Sequence, residues 1–327
     1  MVLLRDGPTL ISAINMENPI SLRILVLCSS RFAMPAIHQL VQFKQLAAVA
    51  VPADRDEVIE QAQAILKDTG VPLILIQKKT MAKQLIKAIG EHEVNMGIIM
   101  TFSYLLPASV FELPSKGFYN LHPGPLPRYR GMDPVFWQIV NKEKEAGISL
   151  HKLDANFDTG PVVLTKMLSL QTNDTYGIVF SKLSQLAVQL VAVLIRLVVY
   201  DLQVPSKQQG SDGKYYSKQT AADVTINWKN MDADKIIALV NACNPWNKGA
   251  VTSFDQRIFR ILSAEKISDE PPAGAVPGTV VINSTNEVSV TTINKEMLRL
   301  QQVYLDEGFM HPSRLKEVGL VNGIVLS

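Results

Sequence analysis

Four short apolar runs frame the first part of the chain: Leu22–Leu27, Leu46–Val51, Val71–Ile76 and Val94–Met100. The first, LRILVL, is interrupted only by Arg23, which suits a strand covered on both faces. Between the runs lie segments that read as helices, over Phe32–Val41, Asp54–Asp68 and Lys79–Glu91, and Ser29-Ser30 offers caps for the first of them. Strand and helix alternating at this short range predict an α/β unit with a Rossmann-like, mostly parallel sheet and helices on both faces. A dinucleotide-binding version would need a glycine-rich turn after the first strand. Here that turn is CSSRFAMP, without glycine, which argues against NAD or FAD, and no GxxxxGK[ST] phosphate loop occurs.

The pattern continues with a helix over Asp133–Val140, started by Asp133-Pro134, and an alternating strand over Gly147–Asp154. A turn follows at Asn156–Gly160, then a strand over Pro161–Leu168 and one long helix over Asp174–Tyr200. These elements make a first domain over residues 21–200. Residues 201–222 are polar (VPSKQQGSDGKYYSKQ within them) and read as a linker. Beyond it come a helix at Asp232–Cys243 and short strands at Val251–Phe254, Arg257–Ser263, Thr279–Asn283, Glu287–Thr292 and Met297–Val303. That order predicts a small OB-like β-barrel over residues 223–327.

Composition narrows the function classes. A chain of 327 residues that is 47% hydrophobic has ample core for about two domains. With 32 basic and 30 acidic side chains the net charge is +2, so no excess points to a polyanion. Cys28 and Cys243 are far apart and form no CxxC or Cys/His cluster, which fits a reducing compartment and argues against a structural metal. Residues 1–20 are broken by Asp6, Gly7, Pro8, Asn15 and Glu17 and read as an N-terminal extension, with Met16 as a second candidate start. Leu190–Val199, apolar apart from Arg196, is too short to cross a membrane. The expectation is a soluble, cytoplasmic protein with no membrane partner.

Chemistry concentrates in Gly117–Gly131, GFYNLHPGPLPRYRG. A strand Phe118–Leu121 ends where prolines and glycines break regularity, and residues two apart face the same way, so Asn120 and His122 emerge together. An amide donor beside a titratable base is the raw material of an acyl-transfer site. His38, His92 and His311 read as structural or solvated, while His151 falls in an alternating strand and points at the sheet surface. Asp158, in a DTG turn after that strand, is placed to reach the same sheet edge. A carboxylate there raises the histidine's proton affinity and accepts a proton itself; the competing reading is a turn aspartate bonded to its own backbone.

FSYLLPASV (Phe102–Val110), NLHPGPLPRYRG (Asn120–Gly131) and GISLHKLDANFDTGPVV (Gly147–Val163), in this order and spacing, resemble the 10-formyltetrahydrofolate-dependent formyltransferase family. INW (Ile226–Trp228) and NACNPWNKGA (Asn241–Ala250) are similar to the C-terminal OB domain of methionyl-tRNA formyltransferases. The resemblance implies Asn120, His122 and Asp158 as the catalytic three. Asn120 and a protonated His122 would donate to the oxyanion, and Asp158 would hold His122 and help remove the amine proton. It implies 10-formyltetrahydrofolate as co-substrate along Tyr104, Leu105, Leu106, Pro107 and Gly124, Pro125, Leu126, Pro127, with no metal needed.

Two departures bear on the amine acceptor. Gly124-Pro125-Leu126-Pro127 stands where the family usually has Ser-Leu-Leu-Pro. VPADRDEV (Val51–Val58) is short and acidic where methionyl-tRNA formyltransferases carry a long basic loop, and residues 207–327 hold 13 basic and 13 acidic side chains. These features lean toward a small amine, an amino sugar or amino-acid derivative, over tRNA. A formyltetrahydrofolate hydrolase, with water replacing the amine, and a folate-binding protein without activity are the other readings.

Overall fold

The computed structural model describes residues 20–327. The expectation for the N-terminal extension therefore lies outside the described residues, save Ile20, whose N–H donates to the Val199 carbonyl at 3.0 Å. In chain order the first unit runs β1 (Ile24–Cys28), α1 (Met34–Gln42), β2 (Leu46–Pro52), α2 (Asp56–Leu66), β3 (Leu73–Ile76), α3 (Met81–Glu91), β4 (Met96–Met100), α4 (Ala108–Phe111) and β5 (Phe118–His122). It continues with β6 (Arg130–Gly131), α5 (Pro134–Val140), β7 (Glu145–Lys152), β8 (Val162–Ser169) and α6 (Tyr176–Val199).

These strands, β6 apart, form one sheet in the order β3-β2-β1-β4-β5-β7-β8. The first five are parallel, and β7 and β8 run antiparallel at the far edge. Every residue of β1, β2 and β4 is buried, as covering on both faces requires. The strand order reverses between β1 and β4, and the crevice outside their carboxyl ends is where open α/β sheets bind ligands. The loops that follow are tied together there: Ser29 Oγ accepts from the Ser103 N–H at 3.0 Å, and Ser30 Oγ lies 2.7 Å from Thr101 Oγ1.

The long helix expected over Asp174–Tyr200 is α6, 24 residues that include an 18-residue stretch of mean hydropathy 1.9. By length and composition it could cross a membrane. Its Val179, Leu183, Ala187, Leu190, Val191, Leu194 and Val198 are instead buried in the protein core, as in the core helix of a globular domain.

After β9 (Tyr215–Tyr216) the second unit follows: α7 (Ala233–Ala242), β10 (Ala250–Phe254), β11 (Arg257–Ile267), β12 (Val280–Ile282), β13 (Val288–Thr291), β14 (Met297–Leu305) and β15 (Gly308–Met310). Its antiparallel sheet has the order β10-β11-β14-β13-β12, with β15 on β14. Among the described residues no ladder joins β10 to β12, so the pairing path is open. One buried apolar cluster runs from Val179 and Phe136 of the first unit to Val240 and Phe259 of the second.

Residues 201–222, read from sequence as a linker, are pinned to the first unit. Lys207 and Val162 exchange both main-chain hydrogen bonds, β9 pairs in parallel with β6, and Trp137 Nε1 donates to the Ser217 carbonyl at 3.1 Å. A polar segment with few apolar side chains is ordered here by hydrogen bonds that local composition does not announce.

Candidate active site

β5 ends at the carboxyl edge with Asn120 and His122 on one face, as period two requires. The antiparallel register of β7 places His151 opposite Asn120 and Ser149 opposite His122. The β7–β8 connection supplies Asp158. Its approach is shaped by Asp154, whose carboxylate accepts from the Asn156 N–H at 3.1 Å and from Thr159 Oγ1 at 2.7 and 2.8 Å. Asp158 itself has φ of 56°, in the left-handed region that costs a non-glycine residue on the order of 1 kcal/mol.

The three expected residues meet. Asp158 Oδ1 lies 3.4 Å from His122 Nδ1 and 3.3 Å from Asn120 Nδ2, and Oδ2 accepts from the Gly131 N–H at 2.9 Å. The competing reading of Asp158, as a turn aspartate satisfied by its own backbone, does not describe these contacts. His151 joins the group, with Nε2 3.1 Å from Asn120 Nδ2 and 3.6 Å from Asp158 Oδ1. The sequence reading did not include it. The sequence places it on an alternating strand, and only the antiparallel pairing of that strand with β5 puts it across from Asn120.

Hydrogen-bond complementarity fixes the proton positions. His151 Nδ1 faces the Lys152 carbonyl at 2.8 Å and carries the hydrogen, leaving Nε2 to accept from the Asn120 amide. His122 Nε2 faces the Tyr129 carbonyl and donates to it, so Nδ1 toward Asp158 is the position that gains a proton. Both amide hydrogens of Asn120 are thus directed at His151 and Asp158, and reaching an oxyanion requires exchanging one of these contacts.

His122 is 4% and Asp158 9% exposed, so solvent screens their interaction weakly. Burial pushes His122 below its usual value, against the pull of the Asp158 carboxylate and the Tyr129 carbonyl. Burial alone would raise Asp158, but His122, His151 and the Gly131 N–H outweigh it and hold the carboxyl at about 2. The two tendencies conflict, because the full lowering of Asp158 needs a charged His122 and a proton on His151 Nε2, the atom that accepts from Asn120 when that ring is neutral. The Gly131 N–H and the Asn120 amide donate to Asp158 whatever the imidazole's charge. Asp158 is therefore the ionised partner, and His122 the one that exchanges a proton.

The segments expected along the folate are placed unevenly. Leu106 is 2% exposed and packs in the core with Val110 and Phe118, whereas Leu105 is 43% exposed and Tyr104 and Pro107 reach the surface. Gly124 and Pro125 are buried, and Leu126 and Pro127 are half-buried. A Cβ on Gly124 would lie 2.9 Å from His122 Nε2 and 3.0 Å from the Tyr129 carbonyl oxygen, so glycine is needed for the histidine to reach its acceptor. Leu126 N–H donates to Ser149 Oγ at 3.0 Å, anchoring the turn to β7.

A buried carboxylate–imidazole pair with an adjacent amide can take a proton from an attacking amine and stabilise an oxyanion. Comparison with known proteins gives the family. The sequence profile described as "Formyl transferase" matches residues 22–195, and "Formyl transferase, C-terminal domain" matches 218–313. The methionyl-tRNA formyltransferase of Sorangium cellulosum is 28% identical over 275 residues, 82% of this chain and 88% of that protein. That of Caldanaerobacter subterraneus is 25% identical over 292 residues, covering 86% and 92%. Among solved structures, the N-formyltransferase of Helicobacter canadensis, in complex with folinic acid and dTDP-3-aminofucose, superposes with TM-score 0.66 at 14% identity, over 85% of this chain and 98% of that one. The sugar 3N-formyl transferase WlaRD gives TM-score 0.64 at 15% identity, over 86% and 97%. With the profile matching more than half of its length, the chain belongs to the formyl transferase family and is an enzyme that transfers formyl groups.

Proposed function

We propose that the enzyme moves a formyl group from 10-formyltetrahydrofolate to the primary amine of a small molecule, an amino sugar or amino-acid derivative. The observation that carries the reaction is the meeting of Asn120, His122 and Asp158 at the carboxyl end of β5. The amine nitrogen attacks the formyl carbon, and the carbonyl electron pair moves onto oxygen. Asn120 exchanges its contact with Asp158 or His151 for that oxyanion, an interaction worth about 10²–10³ in rate. The amine proton passes to the Asp158–His122 pair. The oxyanion then collapses, the bond to N10 of the folate breaks, and N10 recovers a proton, leaving tetrahydrofolate and a formamide. The exposed members of Tyr104–Pro107, and Gly124–Pro127, are the proposed folate contacts.

The small acceptor rests on the connection between β2 and α2. It spans only Ala53–Arg55, and α2 then opens with Asp56 and Glu57. No basic loop is present there to follow a phosphate backbone. Methionyl-tRNA is the second reading. It is favoured by the two matched domains and the named relatives, and by the second unit if its open antiparallel sheet is of OB type. The same three residues would serve a formyltetrahydrofolate hydrolase, which needs no acceptor at all. We place the reaction in the cytoplasm.

The test is product mass. The enzyme is incubated with 10-formyltetrahydrofolate and either a panel of amino sugars and amino-acid derivatives or Met-tRNA. Formylated small amines, absent with His122→Ala, are expected. Formyl-Met-tRNA as the dominant product would overturn the small acceptor, and turnover retained in His122→Ala would overturn the mechanism. Tetrahydrofolate release with free formate and no formylated amine would favour the hydrolase.

A further inference from the structure

A side chain from residues 201–222 reaches the back of the catalytic turn. Gln209 Nε2 donates to the Asp158 carbonyl at 2.9 Å and to the Gly160 carbonyl at 2.7 Å. Its Oε1 accepts from Arg130 Nε at 3.0 Å and Nη2 at 2.8 Å. The amide can face only this way, since carbonyls accept and guanidinium donates. Both hydrogens and both lone pairs are used. Among the described residues no other group donates to either carbonyl.

Two features give this contact mechanical meaning. Asp158 holds a left-handed φ of 56°, and such a residue persists only where its surroundings over-determine it. Arg130 precedes Gly131, whose N–H holds Asp158 Oδ2 at 2.9 Å. Gln209 therefore grips Asp158 from two ends, its main chain directly and its carboxylate through β6. The strap around it is fixed on both sides, by Lys207 on Val162 and by the Lys214 carbonyl accepting from the Arg130 N–H at 3.0 Å.

We propose that Gln209 is a positioning residue for formyl transfer: by tying the Asp158–Gly160 main chain to Arg130–Gly131, it sets the Asp158 carboxylate against His122. The inference rests on the reading that Asp158 serves that reaction. The segment that joins the two units is then part of the catalytic apparatus, acting only through Asp158.

Two substitutions separate this role from a general staple. Gln209→Leu removes all four hydrogen bonds at similar volume. Gln209→Glu keeps an oxygen for Arg130 and loses the two donors to the carbonyls. Both are expected to lower kcat about 10- to 100-fold, as small displacements of a reacting group do, with KM for 10-formyltetrahydrofolate and the thermal midpoint little changed. In an Asp158→Asn background, Gln209→Leu should add no further loss. Wild-type kcat in Gln209→Glu, or independent losses that multiply in the double variant, would overturn the proposal. If Gln209→Leu fails to fold, Gln209→Glu decides alone. Imidazole NMR gives a readout free of turnover: the His122 titration should move in Gln209→Glu. An unmoved His122 with transfer intact would sink the positioning role. A moved His122 in an enzyme that formylates nothing would uphold the positioning and sink the formyl-transfer reading.

Discussion

Asp158 is the residue on which the site turns, because its carboxylate accepts from the Gly131 N–H and the Asn120 amide and lies beside both imidazoles. Its usual carboxyl value of 3.8 falls to about 2, a difference on the order of 2 kcal/mol in favour of the folded state. A carboxyl whose value is depressed by folding stabilises above its unfolded value and loses that contribution as pH falls through the folded one. For Asp158 the contribution is whole above about pH 4 and declines toward pH 2. His122, held below its usual 6.5 by burial, acts in the same sense: its neutral form is favoured in the fold, so its contribution is whole above about 6.5 and fades on acidification. Stability should therefore rise with pH from both groups. In urea titrations, Asp158→Asn is expected to lose on the order of 2 kcal/mol at pH 7 and roughly half as much at pH 3. A gap that stays constant between these values would mean that Asp158 is not ionised beside His122. The same variant should lower turnover about 10²–10⁴-fold. At this scale the sequence was informative where chemistry and strand period coincided. Asn120 and His122 were legible as neighbours on one strand face, and Asp158 through its turn and its family motif. His151 was not, because its role depends on the antiparallel direction of β7, which no local pattern states.

Among the elements, the β7–β8 turn is the least forgiving. A Cβ on Gly160 would stand 1.9 Å from the Lys152 carbonyl oxygen, and that backbone cannot yield without releasing the Lys152 N–H from the Pro161 carbonyl, 3.0 Å away. Gly160→Ala should therefore cost about 1–3 kcal/mol, the range for overpacking a tight contact. It should also depress kcat more than this loss of stability would, since the displaced carbonyl is one that Gln209 holds. Urea midpoints and turnover measured on the same preparation check both, and a variant as stable and active as the parent would show that the turn is plastic. The buried strands β1, β2 and β4 were readable because their apolar runs carry their own signal. The short α4 and β15 were not, having too few residues to show a period. The order of residues 201–222, expected as a linker, escapes the sequence for a related reason: a segment rich in Lys, Gln, Ser and Gly looks like a tether, and only its partners on β6 and β8 make it a fixed strap.

For the whole molecule, the distribution of charge separates acceptor classes more sharply than the fold does. A continuous apolar cluster joins the two units, and Gly177 N–H donates to the Asn244 carbonyl at 3.2 Å across their boundary, so the second unit is a fixed neighbour of the first. What it offers a substrate is mixed. Lys248 stands over the ring of Tyr304 at 4.3 Å with Arg260 nearby at 6.0 Å, the kind of basic-aromatic surface that nucleic acids use. Yet residues 207–327 balance 13 basic against 13 acidic side chains, and Glu265 and Glu287 already pair with Arg299 at 3.2 and 2.9 Å. An acceptor held along a phosphate backbone would displace counterions at each contact, and its affinity would fall with salt at a log–log slope of about −0.9 per phosphate. A small amine bound at the carboxyl edge of β5 makes few such contacts. KM for the best acceptor, measured at 50 and 200 mM salt, should therefore change little. A loss of about 10³-fold or more over that interval, the signature of six or more phosphate contacts, would transfer the acceptor assignment to tRNA and make the Lys248–Tyr304 surface its docking site.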